Sequence, residues 1–266
     1  MKVVFYLLSA LTITFLNFMT ENDIVQNVDN HSICVKTDNT GNLIVRPKIK
    51  RIVQSKYYIY YNGLPENVTD SLAERVITKY DKEGMIKLKE YYGSADILIS
   101  RNKYIYNDGY LVEILCYDGE SEFKERKVNK YNENGFLSTQ STYDIDDEHI
   151  MDVIYLSDDP GKVEEIEYKD AKDNLTIYYI RNTYDNTGNV VERFRSEKKD
   201  GPFSRTVFYY NPDNTVSGSD EYSDSGELLE SLTFDYVYDE YANWIECTTK
   251  NFDIPVFVER KNITYR

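Results

Sequence analysis

Histidine, cysteine and basic residues are scarce in this chain, and each shortage removes a class of function. Only two histidines occur, His31 and His149. Neither has a metal partner four residues on, and no HExxH, G-x-S-x-G or Walker loop is present. The signatures of metallohydrolases, nucleophile elbows and phosphate-cradling loops are therefore missing, and both histidines read as surface or loop residues. The three cysteines, Cys34, Cys116 and Cys247, are far apart, which excludes a disulfide framework and a metal knuckle. Cys116 and Cys247 lie in strand-like runs, where a free thiol acts as a small apolar group; the spacing leaves open whether any two pair. Lys and Arg number 31 against 46 Asp and Glu, a formal charge of −15. That balance weighs against nucleic acid and anionic membranes as partners.

Long apolar runs are missing too, except at the start. Residues 1–20 carry one charge, Lys2, and an apolar stretch from Val3 to Leu16, before an acidic segment opens at Glu21. This is the layout of a secretory signal peptide, with an uncleaved N-terminal anchor as the alternative. It addresses the chain to a secreted, periplasmic or cell-envelope location, with no membrane span in the mature chain.

Tyrosine is abundant, with 26 copies, and many of them recur in register. Tyr80-Asp81-Lys82-Glu83-Gly84-Met85-Ile86 returns as Tyr131-Asn132-Glu133-Asn134-Gly135-Phe136-Leu137 and as Tyr184-Asp185-Asn186-Thr187-Gly188-Asn189-Val190. A degenerate copy is Tyr238-Asp239-Glu240-Tyr241-Ala242-Asn243-Trp244. The glycine column runs Gly84, Gly109, Gly135, Gly161, Gly188, then Asn214 and Ala242, in steps of 25, 26, 26, 27, 26 and 28. Such self-similarity marks a repeat architecture. Each period holds a second turn-rich spot near its middle, so it contains two strands of β-branched and aromatic residues.

The turn chemistry explains the motif. Asp or Asn bonds its side chain to nearby backbone, and Gly adopts the left-handed conformation that closes a bulged type I hairpin. Tyr then faces the apolar residue two after Gly. The predicted cross-strand pairs are Tyr80–Ile86, Tyr106–Leu111, Tyr131–Leu137, Tyr184–Val190, Tyr210–Val216, Tyr222–Leu228 and Tyr238–Trp244. Each contributes on the order of 0.2–1 kcal/mol. Tyr80, Gly84, Tyr106, Gly109, Tyr131, Gly135, Tyr184, Gly188, Tyr238 and Trp244 are thus structural repeat positions. Roughly fourteen strands at ~4.8 Å spacing would span roughly 65 Å. The expected fold is all-β: an elongated, twisted antiparallel meander of β-hairpin repeats with a period of about 26 residues, forming a single curved sheet.

Along the chain, residues 21–75 read as a lead-in with degenerate first repeats. Thr37-Asp38-Asn39-Thr40-Gly41-Asn42-Leu43 is a degenerate copy, and Ser71-Leu72-Ala73-Glu74 spells a capping box that would open one short helix. Residues 76–250 form the repeat array, and residues 251–266 supply closing strands at Val256–Glu259 and Ile263–Tyr265. Two acidic clusters, Asp144–Glu148 and Asp158–Asp159, match no calcium loop and read as acidic turns.

The motif resembles the YD repeat of RHS-like proteins, on the strength of Tyr184-Asp185-Asn186-Thr187-Gly188-Asn189-Val190 and Tyr80-Asp81-Lys82-Glu83-Gly84. Tyr238 to Ile245 resembles the Gly-Asn-Trp ending of short secreted bacterial relatives, with Ala242 replacing Gly. The resemblance covers roughly residues 76–250. It implies an extended β-meander on a secreted or envelope protein, of the kind used for adhesion and carbohydrate contact. The chain is too short to enclose a cargo.

The expectation for function is a non-catalytic binding or scaffold module for a glycan or protein partner at the cell envelope, without cofactor or metal. Tyrosines outside the motif column, Tyr57, Tyr91, Tyr179 and Tyr209, are the candidates for an exposed binding face, because rings on a sheet can stack on sugars or dock peptides. Two alternatives belong to other classes: a carboxylate-dependent glycan-active enzyme, and an antitoxin- or immunity-like partner that binds by strand addition.

Overall fold

The computed structural model describes residues 35–37, 43–45, 47–61, 68–157, 162–199 and 201–266. The leader, Cys34, Gly63 and Gly161 lie outside these residues. Two compact units divide the chain at Val45 and Arg46. In the first, β1 (Val35–Thr37) and β2 (Leu43–Val45) form an antiparallel pair. Thr37, in the tyrosine place of the degenerate motif, faces Leu43.

The second unit is a sixteen-stranded closed barrel. Its strands are β3 (Ile49–Tyr61), β4 (Val68–Tyr80), β5 (Ile86–Tyr92), β6 (Leu98–Asn107), β7 (Tyr110–Asp118), β8 (Phe123–Tyr131), β9 (Leu137–Tyr143) and β10 (His149–Leu156), followed by β11 (Glu165–Asp170), β12 (Thr176–Tyr184), β13 (Val190–Ser196), β14 (Phe203–Tyr210), β15 (Val216–Tyr222), β16 (Leu228–Tyr238), β17 (Trp244–Asn251) and β18 (Ile254–Tyr265). Every strand pairs antiparallel with the next, and β18 returns to pair with β3 from Phe257↔Tyr58 to Tyr265↔Ile49.

This closure corrects the expected open, single curved sheet. A sheet this wide must curl, and joining its ends satisfies the backbone groups that two free edges would expose. Two local expectations also change. Ser71–Glu74 is not helical; it lies within the thirteen-residue strand β4, because pairing to β3 outweighs a local capping pattern. The two closing strands are one, β18, and β3 with β4 belong to the same barrel as the repeats.

The hairpin logic holds in detail. All seven predicted cross-strand pairs occur, each beside a register shift that marks the bulge. Gly84, Gly109, Gly135 and Gly188 have φ of +98°, +85°, +81° and +89°, and the substitutes Asn214 and Ala242 follow at +64° and +57°. In the first copy, Asp81 Oδ1 accepts hydrogen bonds from the amides of Glu83, Gly84 and Met85 at 2.9–3.0 Å. The turns at the opposite end place other residues in the left-handed position, namely Asp96, Ser121, Asp147, Asn174 and Gly226, and three of them are capped by Asp118, Asp144 and Asp170 in the same way.

Following the register around the closed ladder sorts the side chains into two faces. The motif tyrosines other than Tyr222, with Lys56, Thr142, Ile180, Arg193, Thr206 and Glu259, share the inward face, and this face holds most of the buried residues. A further device links successive periods there. Tyr131, Tyr184, Tyr210 and Tyr236 donate their hydroxyls to the carbonyls of Leu111, Val163, Val190 and Val216 at 2.8–2.9 Å, each 20 or 21 residues earlier. Asn129 and Asn182, two residues before a motif Tyr, donate to the same Leu111 and Val163 carbonyls. Gln140 then bonds Asn129, and Arg193 bonds Asn182, each at 2.9 Å. In the sequence this network shows only as Asn-x-Tyr, a signal too short to stand out beside the turn motif.

Candidate functional site

The four tyrosines expected on an exposed face divide. Tyr209 is outward and 47% exposed, its hydroxyl 2.8 Å from Asp220. Tyr57 is also outward but only partly exposed, with the Arg260 guanidinium over its ring. Tyr179 is outward yet only 7% exposed, because Lys199 lies over its ring as it reaches Glu165 and Glu167. Burial pushes the Tyr179 phenol up to about 12. Tyr91 pairs with Val76 and faces inward beside Tyr104. The four therefore form no common binding face; alternation across the pleat separates Tyr91 from the rest.

The outward face is laced with charge at mid-strand. Glu113 pairs with Arg126, Glu192 with Arg205, Asp235 with Lys250 and Glu246 with Arg260, at 3.6, 3.8, 2.5 and 3.0 Å. Glu90 lies between Lys79 and Arg101. A lipid-facing barrel needs an apolar band, and a Lys or Arg at the bilayer midplane costs about 2–4 kcal/mol. Among the described residues, no helix is long and apolar enough to cross a membrane.

The inward face is polar, and many of its side chains are buried. A round barrel of sixteen strands would be roughly 30 Å across, and long charged side chains lining such a channel would keep their tips in water. Here Lys56 and Glu259 are each 8% exposed, Arg193 5% and Ile180 1%. Neighbouring side chains of the inward face therefore cover these groups. Lys56 sits with its ammonium 3.9 Å from the Phe257 ring centroid, opposite Glu259 on the neighbouring strand. Burial lowers its pKa, opposed by Glu259, Glu74 and Glu230. Burial raises the Glu259 carboxyl, opposed by Lys56 and by the Gln54 amide at 2.6 Å. Burial also brings the Arg193 guanidinium down to about 10, helped by Arg195. Cys116 and Cys247 are buried thiols, pushed up to about 11 and about 12 by the same cause. Lys56 and Glu259 are opposite charges facing each other, whereas Arg193 lies beside a second cation, Arg195.

One opening lies at the motif end, a shallow, solvent-open cavity of about 450 Å³ between the 211–215 turn and β16, lined by Asn211, Pro212, Asp213, Phe234, Asp235, Tyr236 and Tyr238. Three rings supply apolar surface, and two of them are held: Tyr238 donates to Asp213 Oδ2 at 2.9 Å, and Tyr236 donates to the Val216 carbonyl at 2.9 Å. Tyr236 also packs edge-on against Trp244, with centroids 6.1 Å apart. Thr215 holds the other Asp213 oxygen at 2.6 Å, and Asn211 holds Thr215 at 3.0 Å. Burial raises both the Tyr236 and Tyr238 phenols, so they stay protonated as donors. Convergent rings with preset donors and acceptors are the makeup of a small-molecule site. Among the described residues, no group of three His, Cys, Asp or Glu could hold a metal ion. Tyr238 thus joins a structural role to a lining one, with Trp244 packed behind the site; Asp213 and Phe234 carried no sequence signal.

No protein-family model matches the chain, and no curated protein matches it. Solved structures do. A porin-like protein from Bacteroides uniformis shares the fold at a TM-score of 0.50 and 11% identity, over 82% of this chain and 98% of that one. A second porin-like protein, from Bacteroides vulgatus, matches at 0.42 and 11%, over 83% and 99%. The Photorhabdus luminescens Tc holotoxin pore matches at 0.28 and 12%, over 90% of this chain but 17% of that one. At these identities the likeness to the first is one of fold alone.

Proposed function

We propose that the chain is a non-catalytic binding module of the cell envelope, and that the motif-end cavity takes a carbohydrate unit. The observation that carries this reading is the placing of three aromatic rings, Phe234 and the hydrogen-bonded Tyr236 and Tyr238, beside the anchored carboxylate of Asp213 in one 450 Å³ opening. Sugar rings present apolar C–H faces and hydroxyl edges, which such a surface meets with stacking and hydrogen bonds. An envelope address is supported by the leader-like segment at residues 1–20 and by the resemblance to YD-repeat proteins, which rests on the Tyr-Asp-x-x-Gly units. Conduction by a porin-like lumen is disfavoured by the covered charges of the inward face and by the charged exterior. Strand addition is disfavoured because β3 and β18 are already paired.

Affinity electrophoresis of the full chain through gels containing a polysaccharide panel tests this reading. Retardation on at least one polysaccharide is expected, reduced at least tenfold by Tyr238→Ala and unchanged by Tyr209→Ala. Retardation by none, or equal loss in both variants, would remove the cavity as a sugar site. Release of reducing ends from a retained polysaccharide would replace binding with hydrolysis.

A further inference from the structure

The two ends of the barrel differ in the apolar residues at and beside their turns. At the motif end these are Ile86, Leu111, Leu137, Val190, Val216 and Trp244, and all are buried or half-buried against the inward tyrosines. The opposite end places Ile97, Ile145, Leu175, Phe203, Leu229 and Phe252 at or beside the turns β5–β6, β9–β10, β11–β12, β13–β14, β15–β16 and β17–β18. These six are 42–67% exposed. Adjacent hairpins stand about 10 Å apart, so the six form an apolar arc around most of that rim. Scattered exposed apolar residues are ordinary, but an ordered series that the barrel does not use for packing marks an interaction surface.

The charge between them selects the occupant. The turns at 93–97, 118–122, 144–148, 170–175, 197–199, 223–227 and 251–253 hold fourteen Asp and Glu and three Lys, a net of −11. Two such rims brought face to face would repel, which disfavours a second copy. An anionic bilayer is disfavoured for the same reason. A surface that places basic side chains between apolar ones meets both features: its apolar groups cover the arc while its cations meet the interleaved carboxylates.

We propose that this rim docks a cationic, apolar-studded protein segment, at the end of the barrel opposite the carbohydrate cavity and independently of it. The probe is a fourteen-residue amphipathic helix of Lys and Leu, compared with Glu/Leu and Lys/Ser peptides of the same length and titrated into the full chain by fluorescence anisotropy. The expected result is binding of the Lys/Leu peptide at least tenfold tighter than either control, weakening as salt rises. The variant I97S/I145S/L175S/F252S should lose at least tenfold. Because those side chains are exposed, its thermal transition should match the wild type. A second variant, D146K/E148K/D253K, should lose a similar factor without touching the apolar arc. Equal binding of the controls, or binding unaffected by both variants, overturns the proposal. Stronger association with zwitterionic vesicles than with the peptide would assign the rim to lipid and overturn it. So would a dimer that the serine variant dissolves.

Discussion

Tyr209 and Tyr210 are neighbours on β14 that point to opposite sides of the wall, and removing the same atom from each should have unequal effects. Tyr210 is half-buried on the inward face, and its hydroxyl donates 2.8 Å to the Val190 carbonyl of the preceding period. Its phenol is pushed up to about 12 by burial. Tyr209 is 47% exposed, and its hydroxyl meets Asp220 in solvent. Tyr210→Phe removes an internal hydrogen bond and leaves an inward carbonyl short of a donor, at a cost of about 1–2 kcal/mol. Tyr209→Phe should stay within about 0.5 kcal/mol of wild type, as surface changes do. For a barrel of this size each kcal/mol lowers Tm by about 2–4 °C. Extending the change to Tyr131, Tyr184 and Tyr236, which make the equivalent bond, should lower stability by about 4 kcal/mol or more if the sites act independently. That is a large fraction of the ~5–15 kcal/mol typical of folded proteins. Reversible thermal and urea unfolding followed by circular dichroism measures both effects. If Tyr210→Phe and Tyr209→Phe shift the midpoint equally, the inter-period tyrosine ladder contributes nothing specific and the reasoning fails.

Three further outcomes follow from the interior and the turns. Lys56→Met should cost about 3–5 kcal/mol by stranding the Glu259 carboxylate, whereas Lys56→Met/Glu259→Met should recover most of it in urea titrations. Glu259 has its folded pKa raised above the ordinary 4.5. Its contribution therefore opposes folding as pH rises through the folded pKa and vanishes below the unfolded one, so the single variant's deficit should shrink from pH 7 to pH 4. Ala242 occupies the left-handed position at φ +57°, and Ala242→Gly should raise stability by about 0.5 kcal/mol, the steric relief exceeding the added chain entropy. Cys116 and Cys247, buried with thiols raised to about 11 and about 12, should resist iodoacetamide at pH 8 in the folded protein and react once it is unfolded in urea; mass mapping distinguishes them from Cys34.

What the chain discloses in one dimension is local. Tyr80 and Ile86 lie six residues apart, and Asp81 with Gly84 carries the full instruction for the turn between them, so the hairpin register follows from the residue order alone. Closure is not local. Glu259 opposite Lys56 joins residues that no hairpin connects, and nothing in either strand states that the last one returns to the first. The same limit explains the tyrosines outside the motif. Tyr91 and Tyr179 sit in similar strand contexts, yet one faces Tyr104 inside while Lys199 covers the other outside. The cavity combines a turn and a strand that β15 separates, so Asp213 and Phe234 become partners only once the sheet is folded.

The most direct measurement is chemical-shift mapping of the full chain by NMR during titration with an oligosaccharide from whichever polysaccharide retards it. The account predicts that the largest shifts fall on Asn211, Asp213, Phe234, Tyr236 and Tyr238 and disappear in Tyr238→Ala. Shifts centred on the opposite rim or spread along the outer wall, with the cavity residues unmoved, would contradict it.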